Sequence, residues 1–271
     1  MTAHHQLQVR SLSAGYGERR IIEGLDLDLL PGRISAIVGA NACGKSTLLR
    51  VMSRLLRPQG GQVTLDGQAI HKMPTRALAR VLGLLPQSPI APEGITVADL
   101  VGRGRHPHHG LISRWGPADD AAVAAALEAT QIADLAERAV DELSGGQRQR
   151  AWIAMALAQE TDLLLLDEPT TFLDVTHQIE LLDLLCDLNA RRGTTIVMVL
   201  HDLNLAARYA DRLIALRGGR VHAQGSPAEV LTSATIREVF DLSAQVMRDP
   251  VSGRPMMLPI GRHRLARTAA E

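Results

Sequence analysis

Residues 39–47 read GANACGKST, and the reading of this stretch decides the fold. It fits G-x-x-x-x-G-K-[ST], a loop that wraps phosphate groups when it lies between a strand and a helix. Both neighbours are legible. RISAIV (33–38) reads as a short apolar strand, and Leu48, Met52, Leu55 and Leu56 recur at helical spacing until Pro58 stops them. Glycines let such a loop close around an anion, and backbone N–H groups at the helix start point at it. Gly39, Ala40, Asn41, Ala42, Cys43, Gly44, Lys45, Ser46 and Thr47 are therefore expected to bind nucleotide phosphates. Lys45 would reach the β- and γ-phosphates of ATP, and the Ser46 hydroxyl would ligate Mg²⁺. The chain has only two lysines, Lys45 and Lys72, against 27 arginines. A compact ammonium suits this position and a planar guanidinium fits it poorly, which accounts for a lysine kept here.

Outward from the cradle, strands alternate with helices. Upstream, Leu25, Leu27 and Leu29 alternate with Asp26 and Asp28, as in a half-buried strand, and Pro31-Gly32 turns the chain. Downstream, QVTL, Asp66-Gly67 and QAI read as a hairpin, and VLGLL (81–85) as another strand. From about 90 to 157 the segments DDAAVAAALEAT and GQRQRAWIAMALAQ are helical, with the polar loop RGRHPHHGLISRWGP between helical stretches. DLLLLDE (162–168) is a continuous apolar run, consistent with a strand buried on both faces. It ends in two carboxylates. Asp167 would hold Mg²⁺ through water, and Glu168 would orient and polarise the attacking water. A helix (QIELLDLLCDLNA), a strand (TTIVMVL), a helix (LNLAARYAD) and a hairpin (RLIALR and RVHAQG around Gly218-Gly219) follow. The rhythm implies an α/β fold with a mainly parallel core sheet, an N-terminal antiparallel β subdomain and an inserted helical subdomain. The expected core is 7–88 with 158–240, the helical subdomain 89–157, and a C-terminal hairpin and tail 241–271.

At 271 residues, with 46% apolar and 21% charged side chains, the composition is that of a globular chain with one compact unit of two lobes. A formal net charge of zero offers no basic excess for nucleic acid. No stretch approaches the roughly 20 apolar residues of a membrane span, and MTAHHQLQVR lacks the apolar core of a signal peptide. Cys43 and Cys186 make no disulfide framework and fit a reducing, cytoplasmic compartment.

LSGGQ (143–147) resembles the signature of ABC-type ATPases, a motif that other P-loop enzymes lack. Ser144, with the N–H groups of Gly145 and Gly146 at a helix start, makes a second anion site, and Gln147 completes the motif. The resemblance covers about residues 7–260. It implies a P-loop NTPase fold of the ABC type, ATP hydrolysis, and a homodimer with two ATP molecules sandwiched head to tail. Each would be held by one chain's cradle and the other chain's signature. Four further positions match in order. Tyr16 in AGYGERR is similar to the aromatic that stacks on adenine, and Gln87 in LLPQ to the glutamine that touches Mg²⁺ and water. Asp174 in TTFLD resembles the aspartate lying across the dimer interface, and His201 in VLHD the switch histidine bonded to the γ-phosphate. Ala40 and Ala42 stand where the family usually has proline and glycine, so Ala42 needs a backbone conformation that tolerates a Cβ. Cys43, at a helix N-terminus, is expected to have a lowered thiol pKa and to block ATP binding when alkylated.

GITVADLVGRGRHPHHGLISRWGPADDAAV, TTFLDVTHQIELLDLL, VLHDLNLAARYAD and the hairpin-like DPVSGRPMMLPIGR are similar to the ATPases of bacterial ferric-siderophore importers. This implies a peripheral subunit on the cytoplasmic face of the cell membrane, bound to multi-span permease subunits. A periplasmic or lipoprotein substrate-binding protein would act with it indirectly. Haem and cobalamin importers share the architecture. His106, His108 and His109, bunched around Pro107, lack regular metal-ligand spacing and read as a polar loop of the helical lobe near the membrane partner, with Trp115 either packing there or anchoring that contact. A P-loop kinase is disfavoured by LSGGQ and His201. Soluble ABC proteins working on DNA or ribosomes usually carry coiled-coil insertions or tandem ATPase units, and this sequence shows neither; no nucleic-acid partner is expected.

Overall fold

The computed structural model describes residues 5–110 and 114–263; residues 111–113 of the polar loop and 264–271 of the expected tail lie outside the described residues. The chain opens with β1 (Leu7–Tyr16) and β2 (Arg19–Asp28), then β3 (Ile34–Gly39) and α1 (Lys45–Met52). β4 (Gly60–Leu65) and β5 (Gln68–Ala69) complete a four-stranded antiparallel sheet in the order β2-β1-β4-β5. The alternation read in β2 is realised: Leu25 and Leu27 are buried while Asp26 and Asp28 are exposed.

α2 (Thr75–Val81) leads into β6 (Leu82–Leu85). The helical lobe follows, with α3 (Val97–Gly102), α4 (Pro117–Ala129) and α5 (Gly145–Ala158). The chain then returns through β7 (Leu163–Asp167), α6 (Val175–Arg192), β8 (Thr195–Val199), α7 (Leu203–Tyr209), β9 (Arg212–Arg217) and β10 (Arg220–Gly225). The six-stranded sheet has the order β10-β9-β3-β8-β7-β6 and is parallel except at its β10–β9 edge.

The continuous apolar strands follow from this placement. Side chains of a strand alternate between faces, and here both faces are covered. Leu164 and Leu166 of β7, with Ile196 and Met198 of β8, enter a core shared with the helical lobe and α6. Leu163, Leu165, Val197 and Val199 enter a second core shared with α1 and the antiparallel sheet. Each such aliphatic side chain contributes about 1.5–3 kcal/mol on full burial. The sheet therefore holds the ends of β3, β7 and β8 in fixed register, and the site is built on those ends.

Two details set the lobes. Arg105, 5% exposed, donates from Nε to Asp119 Oδ1 (3.0 Å) and from Nη1 to Ala158 O (2.7 Å) and Glu160 Oε2 (2.9 Å), so its buried charge is paired and the start of α4 is tied to the end of α5. Past α8 (Pro227–Val230) and α9 (Ser233–Phe240), β11 (Ala244–Arg248) and β12 (Pro255–Pro259) form the hairpin read from the sequence. Asn204 of α7 clamps it by bonding both the N–H and the C=O of Met257 (2.7 and 3.1 Å).

α1 is shorter than its apolar spacing predicts. It stops at Met52, Arg54 turns into the left-handed region (φ 65), and Leu55 is 66% exposed. The cause is Arg54 itself, whose guanidinium donates to Ile70 O, Met73 O and Thr75 Oγ1 and so pulls the chain out of the helix. No helix among the described residues is long and apolar enough to cross a membrane.

Candidate functional site

The loop between β3 and α1 ends the first strand of the sheet. Gly39 leaves β3 at φ 155, where a Cβ would lie 2.5 Å from Leu216 O and 2.7 Å from Cys43 Sγ, so only glycine fits. Ala42 takes the left-handed conformation (φ 60) that the sequence required of it, and Gly44 follows at φ 109. α1 has no side-chain N-cap and no acidic residue in its first turn. Its leading N–H groups are thus left for an anion, which the helix dipole also favours. Lys45 is buried, with Nζ donating to Gly39 O (2.8 Å) and Ala40 O (3.0 Å). An ammonium has three donors, so one remains for an incoming oxygen.

Opposite the loop, the C-terminal ends of β7 and β8 supply the acidic side. Ser46 Oγ donates to Asp167 Oδ1 (3.1 Å), and Asp167 is 3% exposed. Burial pushes the Asp167 carboxyl above its ordinary range; the Ser46 hydrogen bond opposes this, and the neighbouring Glu168 adds to it. Glu168 is buried in a left-handed conformation (φ 55), its Oε1 2.6 Å from His201 Nε2, and the Thr171 hydroxyl donates to its Oε2 at 3.3 Å. His201, one residue past the buried Leu200, is half exposed. Asn41, Ala42, Gly44, Lys45, Ser46, Thr47, Gln87, Glu168 and His201 line one cleft of about 540 Å³, within the range of roughly 300–1,000 Å³ that holds small ligands. Gly39, Ala40 and Cys43 support it from behind.

Three of the expected features stand elsewhere. Tyr16, at the end of β1, is 45% exposed and does not line the cleft; its hydroxyl accepts from Arg50 Nη1 (2.7 Å), and its cross-strand partner Arg19 reaches the cleft together with Ile21. Ser144 caps α5 in a reciprocal box, its Oγ accepting from Gln147 N (3.3 Å) and Gln147 Oε1 accepting from Ser144 N (3.1 Å). Cβ atoms built at Gly145 and Gly146 would lie 3.7 Å from Phe172 Cβ and 3.5 Å from Leu173 Cδ2, and none of residues 144–147 lines the cleft. Asp174 caps α6 by accepting from His177 N (2.9 Å); this bond is the main reason its carboxyl is held below the usual range.

Cys43 corrects the expectation of a reactive thiol. It is 7% exposed, and burial pushes its pKa up, outweighing Lys45 and the backbone N–H groups that oppose the shift.

Arg19, Ile21, Thr171 and Gln149 were not among the residues singled out in the sequence. Buried Gln149 of α5 donates to Pro169 O (3.0 Å), tying the 143–147 segment to the backbone just after Glu168. A buried glutamine on the apolar face of α5 is the one signal that would have found it.

Comparison with known proteins follows this geometry. The family described as ABC transporter matches residues 22–171. A probable siderophore transport system ATP-binding protein of Bacillus subtilis is 54% identical over 258 residues, 95% of this chain and 94% of that protein. Among solved structures, an inward-facing ABC transporter described as metal-chelate type aligns with a TM-score of 0.81 at 31% identity, covering 96% of this chain and 98% of that one. A bacterial ABC transporter cassette solved as a dimer aligns with a TM-score of 0.74 at 27% identity, covering 81% of this chain and 98% of that one.

Proposed function

Since this chain belongs to the ABC transporter family, we propose that it binds and hydrolyses ATP to energise an importer of ferric siderophores. The observation that carries the hydrolytic part is the pair of buried Glu168 and half-exposed His201 facing Lys45 and the uncapped start of α1 across one cleft. The cargo rests on the siderophore-transport relative and the metal-chelate structure.

Residues 39–47 cradle the phosphates through backbone N–H groups, with Lys45 turning its free donor to the β- and γ-oxygens. Ser46 and the buried Asp167, oxygen donors 3.1 Å apart, suit a hard divalent cation. Mg²⁺ held there, with Gln87 near it, would neutralise charge on the β- and γ-phosphates. Glu168 orients a water for in-line attack on the γ-phosphorus and draws on its proton as the bond to the ADP oxygen breaks. His201 fixes Glu168 and faces the γ-phosphate, and the Tyr16 ring stacks on adenine beside Arg19.

Ser144, Gly145, Gly146 and Gln147 form the second anion site, with Asp174 beside it. Because they stand outside the cleft, a second copy of the chain supplies them in trans, head to tail; the dimeric ABC cassette supports this reading. Permease subunits receive the resulting motion through the helical lobe at residues 89–157, between the core segments 7–88 and 158–240. A substrate-binding protein delivers cargo to that permease, so the ATPase sits at the cytoplasmic face of the membrane.

Cells lacking this chain should lose uptake of iron-loaded siderophore. The intact chain should restore it, and Lys45→Ala should leave it at least about 100-fold lower through lost nucleotide binding. Undiminished uptake in the deletion strain would refute the cargo; full uptake with Lys45→Ala would refute the site.

A further inference from the structure

Tyr16 ends β1 beside a turn through Gly17 (φ 57), and its side chain stands in solvent, 45% exposed. The backbone of that turn is held by the residue just before β4. Gln59 Nε2 donates to Gly17 O (2.9 Å), and Gln59 N donates to Ser13 O (2.8 Å). Those bonds fix the chain and leave the ring free to change rotamer. A single contact restrains the ring itself: Arg50 Nη1 donates to the Tyr16 hydroxyl at 2.7 Å, a charge-assisted hydrogen bond. A bond at the hydroxyl occupies no face of the ring.

Arg50 belongs to α1, the helix whose N-terminus opens on the cleft. It follows Ser46 by four residues, a spacing that puts both on one helix face. Ser46 meets Asp167 at the acidic side of the cleft (3.1 Å), and Arg50 meets Tyr16 one turn later. The Arg50 charge also reaches Asp167, where it opposes the rise caused chiefly by burial. Arg19, paired with Tyr16 across β1 and β2, lines the cleft, so the ring stands beside its edge. Arg50 itself does not line the cleft.

We propose that Arg50 is a positioning residue for nucleotide binding, holding the Tyr16 ring in place before the base arrives. The inference rests on the reading of Tyr16 as the adenine platform. A free, exposed tyrosine loses rotamer freedom when a base stacks on it. A ring already tied through its hydroxyl has lost that freedom beforehand, so more of the stacking free energy appears as affinity. One helix thus sets both ends of the nucleotide: its first turn faces the phosphates, and its next turn fixes the support of the base.

The test uses the full-length chain with Mg²⁺ and compares dissociation constants for ADP, which carries the base and is not turned over, and inorganic pyrophosphate, which lacks it. Arg50→Met should weaken ADP about fivefold, the size of freeing one side chain, and leave pyrophosphate within about twofold. Tyr16→Phe keeps the ring and removes the acceptor, so it should show the same loss. The double variant should be no weaker than either single one, within about twofold. Arg50→Lys should return ADP to within about twofold of the parent, because an ammonium on that helix face can still donate to the phenol. Tyr16→Ala should cost about tenfold or more, the scale of one base–aromatic stack. Parental ADP affinity in Arg50→Met, while Tyr16→Ala still weakens ADP, overturns the proposal and leaves the platform reading intact. Equal losses for ADP and pyrophosphate overturn it too, because Arg50 would then act by charge on the phosphates. So do additive losses in the double variant, or a lysine no better than methionine. Parental ADP affinity in Tyr16→Ala removes the platform reading itself, and the proposal with it.

Discussion

Glu168→Gln lowers ATP turnover by about 10³-fold, equivalent to about 4 kcal/mol of barrier, and leaves nucleotide affinity within a few-fold of the parent. The substitution preserves shape. Glutamine can still accept from the Thr171 hydroxyl and can still face His201, so the β7 end and its cleft keep their geometry. It cannot take a proton from water at neutral pH. In the proposed site, binding rests on another set of groups: the uncapped N–H groups of α1, Lys45 and Ser46. ATP therefore binds, the two half-sites close, and the product that would reopen them does not form, so ATP-bound dimers accumulate. Single-turnover kinetics with a size measurement check this. Turnover within about tenfold of the parent would remove Glu168 from the chemistry.

Ser144→Arg abolishes hydrolysis, by at least about 100-fold, while a single chain binds ATP within about threefold of the parent. The split follows from placement. Ser144 caps α5 outside the cleft, so the cradle of its own chain is untouched. In the proposed paired state the same hydroxyl and the α5 N-terminus would meet the partner's γ-phosphate, and an arginine there would fill the space that closure requires. Lost capping costs about 1 kcal/mol, a drop of a few degrees in thermal midpoint, too little to unfold the chain. If Ser144→Arg weakened ATP binding to the isolated chain in proportion to the lost rate, the loop would be part of the chain's own cleft.

The strand, loop and helix around residues 39–47 were legible because their causes are local: glycine for positive φ, an apolar strand before and a helix after. The buried strands were equally open, since covering both faces removes polar residues from β7 and β8 altogether. The length of α1 was not, because it is set by Arg54 reaching carbonyls some 16 to 19 residues away. Cys43 was misread for a related reason. A helix N-terminus is visible in sequence, but the packing that buries the thiol against Gly39 is tertiary. Thr171 gave no local signal, and Gln149 only its place on the apolar face of α5, as their importance lies in which carboxylate or backbone they meet across the fold.

The central claim is that one chain holds only half of each hydrolytic site in working geometry. Specific ATPase activity measured against chain concentration, with saturating ATP and Mg²⁺ and no permease, tests it most directly. The two-chain site predicts that the rate per chain rises with concentration toward a plateau, so that total rate grows as the square of concentration at the dilute end. A rate per chain that stays constant down to concentrations where only single chains are present would contradict it.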